Sequence, residues 1–193
     1  MVPTLCRGSD DSAALVFYAL SFFGRRTEAG SLEETLAELT KSVFFAPTPW
    51  AIARQMLEAA EVSPKDMLYD LGSGDGRIPI MAAQEFGCRA VGIELDEKLC
   101  RHAQEKVREY GLEERVSFRQ EDFFTTSLRD ATVVTLYLLT QVNGYLGPRL
   151  ASQLAKGARV VSLDYPVPGW REEKTLDVKS EGNVDYRLYL YRR

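Results

Sequence analysis

Hydrophobic and polar positions change their rhythm at Ser63-Pro64, and the change separates two kinds of element. Before it, Leu32, Leu36 and Leu39 recur at helical spacing behind a capping-box pair, Ser31 and Glu34, and predict a helix. A break at "FFAPTPW" follows. There Thr48 suits an N-cap and Pro49 the first helical position of a second helix, with Ile52, Met56, Ala59 and Ala60 along one face. The turn reads either as a plain helix start or as part of a lid.

After the break, short apolar runs alternate with amphipathic ones. Strands are expected at 67–70, 90–94, 116–120, within "ATVVTLYLL" (131–139), and at 159–164. Helices are expected at 78–86, stopped by Gly87; at 96–110, with Leu99, Ala103, Val107 and Tyr110 on one side and Gly111 ending it; and around 146–154. The run 131–139 is β-branched and apolar enough to be a central strand buried on both faces. Strand–helix alternation implies right-handed crossovers between parallel strands. "TLDVKS" and "DYRLYLYRR" instead alternate apolar and polar residues, as an antiparallel hairpin at the edge of a sheet would. The expected fold is α/β: a doubly wound, mostly parallel seven-strand sheet with a C-terminal antiparallel pair. An N-terminal helical extension, 1–43, precedes the main domain, 44–193.

Composition narrows the chemistry by exclusion. Twenty-four basic against 28 acidic residues give a net charge of −4, with no basic run beyond Arg25-Arg26 and Arg192-Arg193, so non-specific nucleic-acid binding is disfavoured. Cys6, Cys88 and Cys100 are too few and scattered for a disulfide framework, which favours a reducing, cytoplasmic setting. No metal site is expected: the one histidine, His102, falls two helical positions from Cys100, about 200° round the helix. A nucleophilic triad would need the same histidine. The apolar stretch 13–23, "AALVFYALSFF", is about half the ~20 residues that span a bilayer, and Asp10 and Asp11 precede it where a signal peptide carries positive charge. A packed helix is the preferred reading, with weak membrane contact or a loose extension as alternatives. A monomer is expected.

The densest chemistry is "DLGSGDGR", 70–77. Gly72, Gly74 and Gly76 at alternate positions suggest close approach of the main chain to a ligand, at the carboxyl end of the first strand, where open α/β sheets bind theirs. A dinucleotide motif G-x-G-x-x-G would need a third glycine where Arg77 stands. Three carboxylates converge on the same crevice: Asp70 before the glycines, Glu94 ending the second strand and Asp122 after the third. Together they suit a ligand rich in donors and positive charge, and would repel a pyrophosphate.

These segments, "YDLGSGDGR", "AVGIELD" and "EDFF", resemble the first three motifs of class I, seven-strand S-adenosylmethionine-dependent methyltransferases. The resemblance implies S-adenosyl-L-methionine as cofactor. It places the methionine end on Asp70 and the backbone of Gly72, Ser73 and Gly74, both ribose hydroxyls on Glu94, and the adenine amine on Asp122. Leu95 and Phe123 join the cofactor contacts by the same motifs.

The acceptor is set by residues past the fourth strand. "TLYLLTQVN", 135–143, lacks the Asn/Asp-Pro-Pro-aromatic motif of amine methyltransferases and the cysteine nucleophile of cytosine C5 enzymes. With "FFAPTPW", "ARVVSLDYPVPGW" and "YRLYLY" it resembles the small protein-lysine methyltransferases related to the enzyme that modifies the ATP synthase c-subunit, from Phe44 onward. That group often carries a Ser-His pair where this chain has Ser162-Leu163, and Tyr-Val where it has Phe45-Ala46. A protein substrate with an accessible lysine is implied. Tyr137, Phe45 and Trp170 are candidate walls of an aromatic channel, and Thr140 or Asn143 could orient the amine; Tyr137 as core and Trp170 as a cover for the fifth strand are the plainer alternatives. A small-molecule or RNA methyltransferase, and a non-catalytic cofactor-binding partner subunit, stand as alternative functions.

Overall fold

The structure is a computed structural model and describes residues 47–193. Phe45, the stretch 13–23 and the helix expected from Ser31 lie outside the described residues.

Four helices, α1 (Trp50–Ala59), α2 (Arg77–Phe86), α3 (Glu97–Glu109) and α4 (Thr140–Gln153), alternate with or flank seven strands. The strands are β1 (Met67–Leu71), β2 (Arg89–Glu94), β3 (Val116–Gln120), β4 (Val133–Leu136), β5 (Arg159–Leu163), β6 (Lys174–Lys179) and β7 (Asp185–Arg192). They form one sheet in the order β3-β2-β1-β4-β5-β7-β6. Strands β1 to β5 pair in parallel, while β7 inserts antiparallel between β5 and the edge strand β6. The order reverses between β1 and β4, so a crevice opens beyond their carboxyl ends.

Register fixes what faces that crevice. Asp70 lies opposite Gly92 on one side and Thr135 on the other. Because side chains alternate, Asp70, Glu94 and Thr135 share a face with Leu68, Ala90 and Val133. Those three belong to the core that Ile52, Met56 and Leu57 of α1 and Ile80 and Met81 of α2 cover. The polar ends of the strands thus continue an apolar layer to its rim.

Boundaries moved where tertiary packing outweighed local signals. Thr48 does not cap α1; Pro49 is the cap residue, with φ −55° and ψ 143°, and the helix starts at Trp50. In α3 Asp96 caps as a side chain should, accepting the N–H groups of Lys98 and Leu99 at 2.8 and 3.0 Å. Its core stripe is Cys100, Ala103 and Val107, not Leu99 and Tyr110: Tyr110 ends the helix and stands 54% exposed. β4 is only four residues long, all buried, and Tyr137 to Leu139 leave the sheet. α4 begins six residues before the expected start, through Gly144, Gly147 and Pro148, because full burial of Val142, Leu146 and Leu150 overrides their poor helix propensity.

Candidate active site

The turn after β1 is a preformed structure. Gly72, Gly74 and Gly76 have φ of 77°, 54° and 82°, the left-handed region in which a side chain is strained. At Gly76 there is also no room: a Cβ would lie 2.5 Å from Phe118 Cζ and 2.8 Å from Ala103 Cβ. The N–H groups of Gly72 and Ser73 donate to the Ile93 carbonyl at 2.9 and 3.0 Å, and that of Gly76 to Ser73 at 2.9 Å. Gly74 N–H donates to Glu94 Oε2 at 2.8 Å. Three of these four donors are spent on the end of β2 and one within the turn, so it is no phosphate cradle. The Ser73 hydroxyl, buried and without a partner among the described residues, is turned onto β2, 2.7 Å from where a Cβ on Gly92 would stand.

Acceptors dominate what remains. Glu94, half-buried, also accepts Asp96 N–H at Oε1, 2.9 Å, which leaves lone pairs on both oxygens. Asp122, half-buried, accepts Phe124 N–H at 2.8 Å, closing the turn after β3 over the buried rings of Phe123 and Phe124. Leu95 beside Glu94 is 39% exposed. Asp70 is 4% exposed and accepts the Thr135 hydroxyl at 2.6 Å. Burial pushes its carboxyl up to about 7, the Thr135 bond restrains the rise, and the charges of Glu94 and Asp75 add to it.

That shift has a measurable sign. A carboxyl raised in the folded state from an ordinary 3.8 to about 7 contributes stability that is full below about pH 4 and lost as pH rises to about 7. Asp70→Asn should therefore gain stability relative to wild type across that window in cofactor-free protein. Urea unfolding at several pH values reads the difference, and parallel curves would contradict it.

Arg77, which stands where a dinucleotide site has its third glycine, is a strut. Its guanidinium donates to both oxygens of Asp75 at 2.9 and 2.8 Å and to the Thr48 carbonyl at 2.7 Å, and lies 5.1 Å from the Trp50 ring centroid. The glycine turn is thereby tied to the Thr48-Pro49-Trp50 turn at the start of α1. Neither partner is signalled locally in the sequence.

On the far side of the crevice the candidate acceptor residues separate. Tyr137, half-buried, packs on the core under α1 and stacks with Tyr165, centroids 6.2 Å apart at 29°. Thr140 is exposed on the first turn of α4. Asn143 is fully buried, and its Nδ2 donates to the carbonyl of Tyr165 at 2.9 Å and of Leu138 at 3.3 Å, and to Ser162 Oγ at 3.2 Å. These acceptors, with the Pro166 carbonyl at 3.4 Å, fix the amide so that Nδ2 fastens the segments after β4 and β5 together, while its buried Oδ1 has no hydrogen-bond partner among the described residues. Trp170 packs edge-on to Tyr191, 5.9 Å away, and against Gly147 of α4. Tyr191 lies opposite Val160, on the face of β5 away from Tyr137, so Trp170 covers the fifth strand and is no wall shared with Tyr137. Tyr165 stacks on Tyr137 instead, with Asp164 close enough to act on the Tyr137 hydroxyl; the sequence singles out neither residue. The buried Cys100 and exposed His102 point apart on α3, and no group of three or more metal-ligating side chains gathers among the described residues.

Comparison with known proteins matches residues 70–174 to the model of the ANTKMT methyltransferase domain. A protein named protein-lysine N-methyltransferase from Saccharolobus islandicus is 42% identical over 148 residues, 76% of this chain and 91% of the relative. The mouse adenine nucleotide translocase lysine N-methyltransferase is 39% identical over 105 residues, 54% of this chain and 45% of that protein, so the chain spans less than half of the longer mammalian relative. A solved structure described as an RNA methyltransferase from Salinibacter ruber in complex with S-adenosyl-L-homocysteine is 46% identical. It superposes with a TM-score of 0.71, covering 76% of this chain and 93% of that one.

Proposed function

The chain belongs to the ANTKMT methyltransferase domain family, and from that membership we propose that it transfers the methyl group of S-adenosyl-L-methionine to lysine side chains of a protein. The observation that carries the cofactor is the crevice of spent donors and open acceptors. A cationic ligand with an ammonium group, a ribose diol and an adenine amine has the donors that Asp70, Glu94 and Asp122 lack. Asp70, poised near neutrality by burial, gains its charge most readily when a cation arrives. The tight fit of Gly76 against Phe118 and Ala103 seats the turn on β3 and α3, where Glu94 can grip it.

Bound there, the sulfonium supplies an electrophilic methyl carbon with a neutral thioether as leaving group. What the protein must do is strip the target of water and of a proton. A lysine ammonium has an ordinary pKa near 10.4. The half-buried rings of Tyr137 and Tyr165 disfavour the charged form by desolvation while their faces still let the cation dock. Burial raises the hydroxyls of both tyrosines, with Asp164 adding to it, so they stay neutral.

Names of the relatives point to two acceptors, protein and RNA. The chain's net charge of −4, and the Asp164 carboxylate beside the tyrosine pair, favour a cationic acceptor over a polyanion. Incubation with methyl-labelled cofactor and a cell lysate separates the two. Label that survives nuclease and is lost to protease is expected, and label lost to nuclease alone would overturn the lysine reading.

A further inference from the structure

Asp164 is an acidic group just past the carboxyl end of β5, beside the tyrosine pair. It follows the last residue of β5 with a left-handed φ of 59°. Its backbone N–H donates to the Arg187 carbonyl at 2.7 Å, and its Oδ1 accepts Arg187 N–H at 2.9 Å. The carboxylate is thus held by β7 and half-buried, yet one hydrogen bond leaves most of its acceptor capacity unused. Tyr165 N–H donates to the Leu163 carbonyl at 2.7 Å, a tight turn that brings the Tyr165 ring onto Tyr137.

Tyr186, on β7, completes the surroundings. It shares the α1-side core with Tyr137, whose hydroxyl burial pushes up, with the Asp164 carboxylate adding to the rise. Among the described residues no lysine or arginine head group acts on Asp164, whose carboxyl burial raises and the Arg187 backbone bond lowers. A negative group held beside two stacked aromatic faces, with no paired cation among the described residues, is an arrangement that receives an alkylammonium. The carboxylate draws the ammonium in and the ring faces accept its N–H and N–CH groups through cation–π contact, so docking of the charged form precedes loss of its proton to solvent and transfer to the neutral amine.

We propose that Asp164, Tyr165 and Tyr137 form the receiving pocket for the primary ammonium of the target, with Asp164 supplying the charge that selects an alkylammonium over neutral or anionic acceptors. The inference rests on the lysine reading above and adds to it the residue that sets specificity.

The probe is n-butylammonium chloride, the lysine side chain without its backbone, titrated by NMR into full-length protein saturated with S-adenosyl-L-homocysteine, with n-butanol as the neutral control. Wild type should bind the ammonium more tightly than the alcohol. Asp164→Asn should weaken the ammonium about tenfold and leave the alcohol and S-adenosyl-L-homocysteine within about twofold. Equal affinity of wild type for both probes, or unchanged ammonium affinity in Asp164→Asn, overturns the proposal. Should Asp164→Asn fail to fold, Tyr165→Leu decides: a several-fold loss of ammonium affinity supports the pocket, and no change overturns it. Failure of the broader reading looks different. Label found in RNA while Asp164→Asn still loses the ammonium refutes the lysine target and keeps the pocket; label on lysine with Asp164→Asn fully active refutes the pocket alone.

Discussion

Replacing Glu94 by alanine should abolish measurable binding of S-adenosyl-L-methionine in calorimetry. The carboxylate stands in two roles at once. Its oxygens accept Gly74 and Asp96 N–H groups at 2.8 and 2.9 Å, holding the glycine turn to the end of β2, and their remaining lone pairs are the acceptors proposed for the ribose hydroxyls. Removing it deletes hydrogen bonds to a charged acceptor, each about 1.5–3 kcal/mol, and leaves a half-buried amide unpaired at about 1–3 kcal/mol. The sum corresponds to a loss of at least about a hundredfold in affinity. Glu94→Gln, which keeps one acceptor oxygen, should retain weak binding and a native melting profile. Affinity of Glu94→Ala within about threefold of wild type would refute the site.

Gly76→Ala should destabilise the domain strongly. Two costs act at one atom. The backbone at φ 82° strains any side chain by about 1–2 kcal/mol, and the new Cβ would sit 2.5 Å from Phe118 Cζ and 2.8 Å from Ala103 Cβ. Overpacking of that kind costs about 1–3 kcal/mol more. Urea unfolding should show a loss of about 2–5 kcal/mol. Phe118→Leu on the same background should recover the ring's share but not the strain. A loss under about 0.5 kcal/mol would mean that the turn and α3 are far less tightly seated than the structure places them.

The cofactor side of the crevice was legible because its signals are local. Asp70 and Glu94 stand out at the ends of short apolar runs, as expected of parallel strands buried on both faces, and Asp122 follows the alternating edge strand β3. The hairpin pair, too, declares itself by alternation. What escaped reading depends on residues distant in the chain. The Thr135–Asp70 bond joins positions 65 apart, Arg77 reaches back 29 residues to Thr48, and Asp164 is fixed by Arg187 across 23. Tertiary packing also moved Trp170, which its spacing after β5 allowed on either face; burial of Tyr191 on the α4 side decided it. The amide donors of Asn143 are taken by carbonyls of two segments that no pattern brings together, which leaves only its buried Oδ1 without a partner among the described residues.

The central claim, lysine methylation of a protein by this crevice, is tested most directly by quantitative mass spectrometry of methyl-lysine in proteomes of cells with and without the gene. The account predicts at least one methylated lysine that disappears on deletion, returns with the wild-type chain and does not return with Glu94→Ala. A proteome whose methyl-lysine sites are unchanged by deletion, alongside a methylated nucleoside that vanishes with the gene, would contradict it.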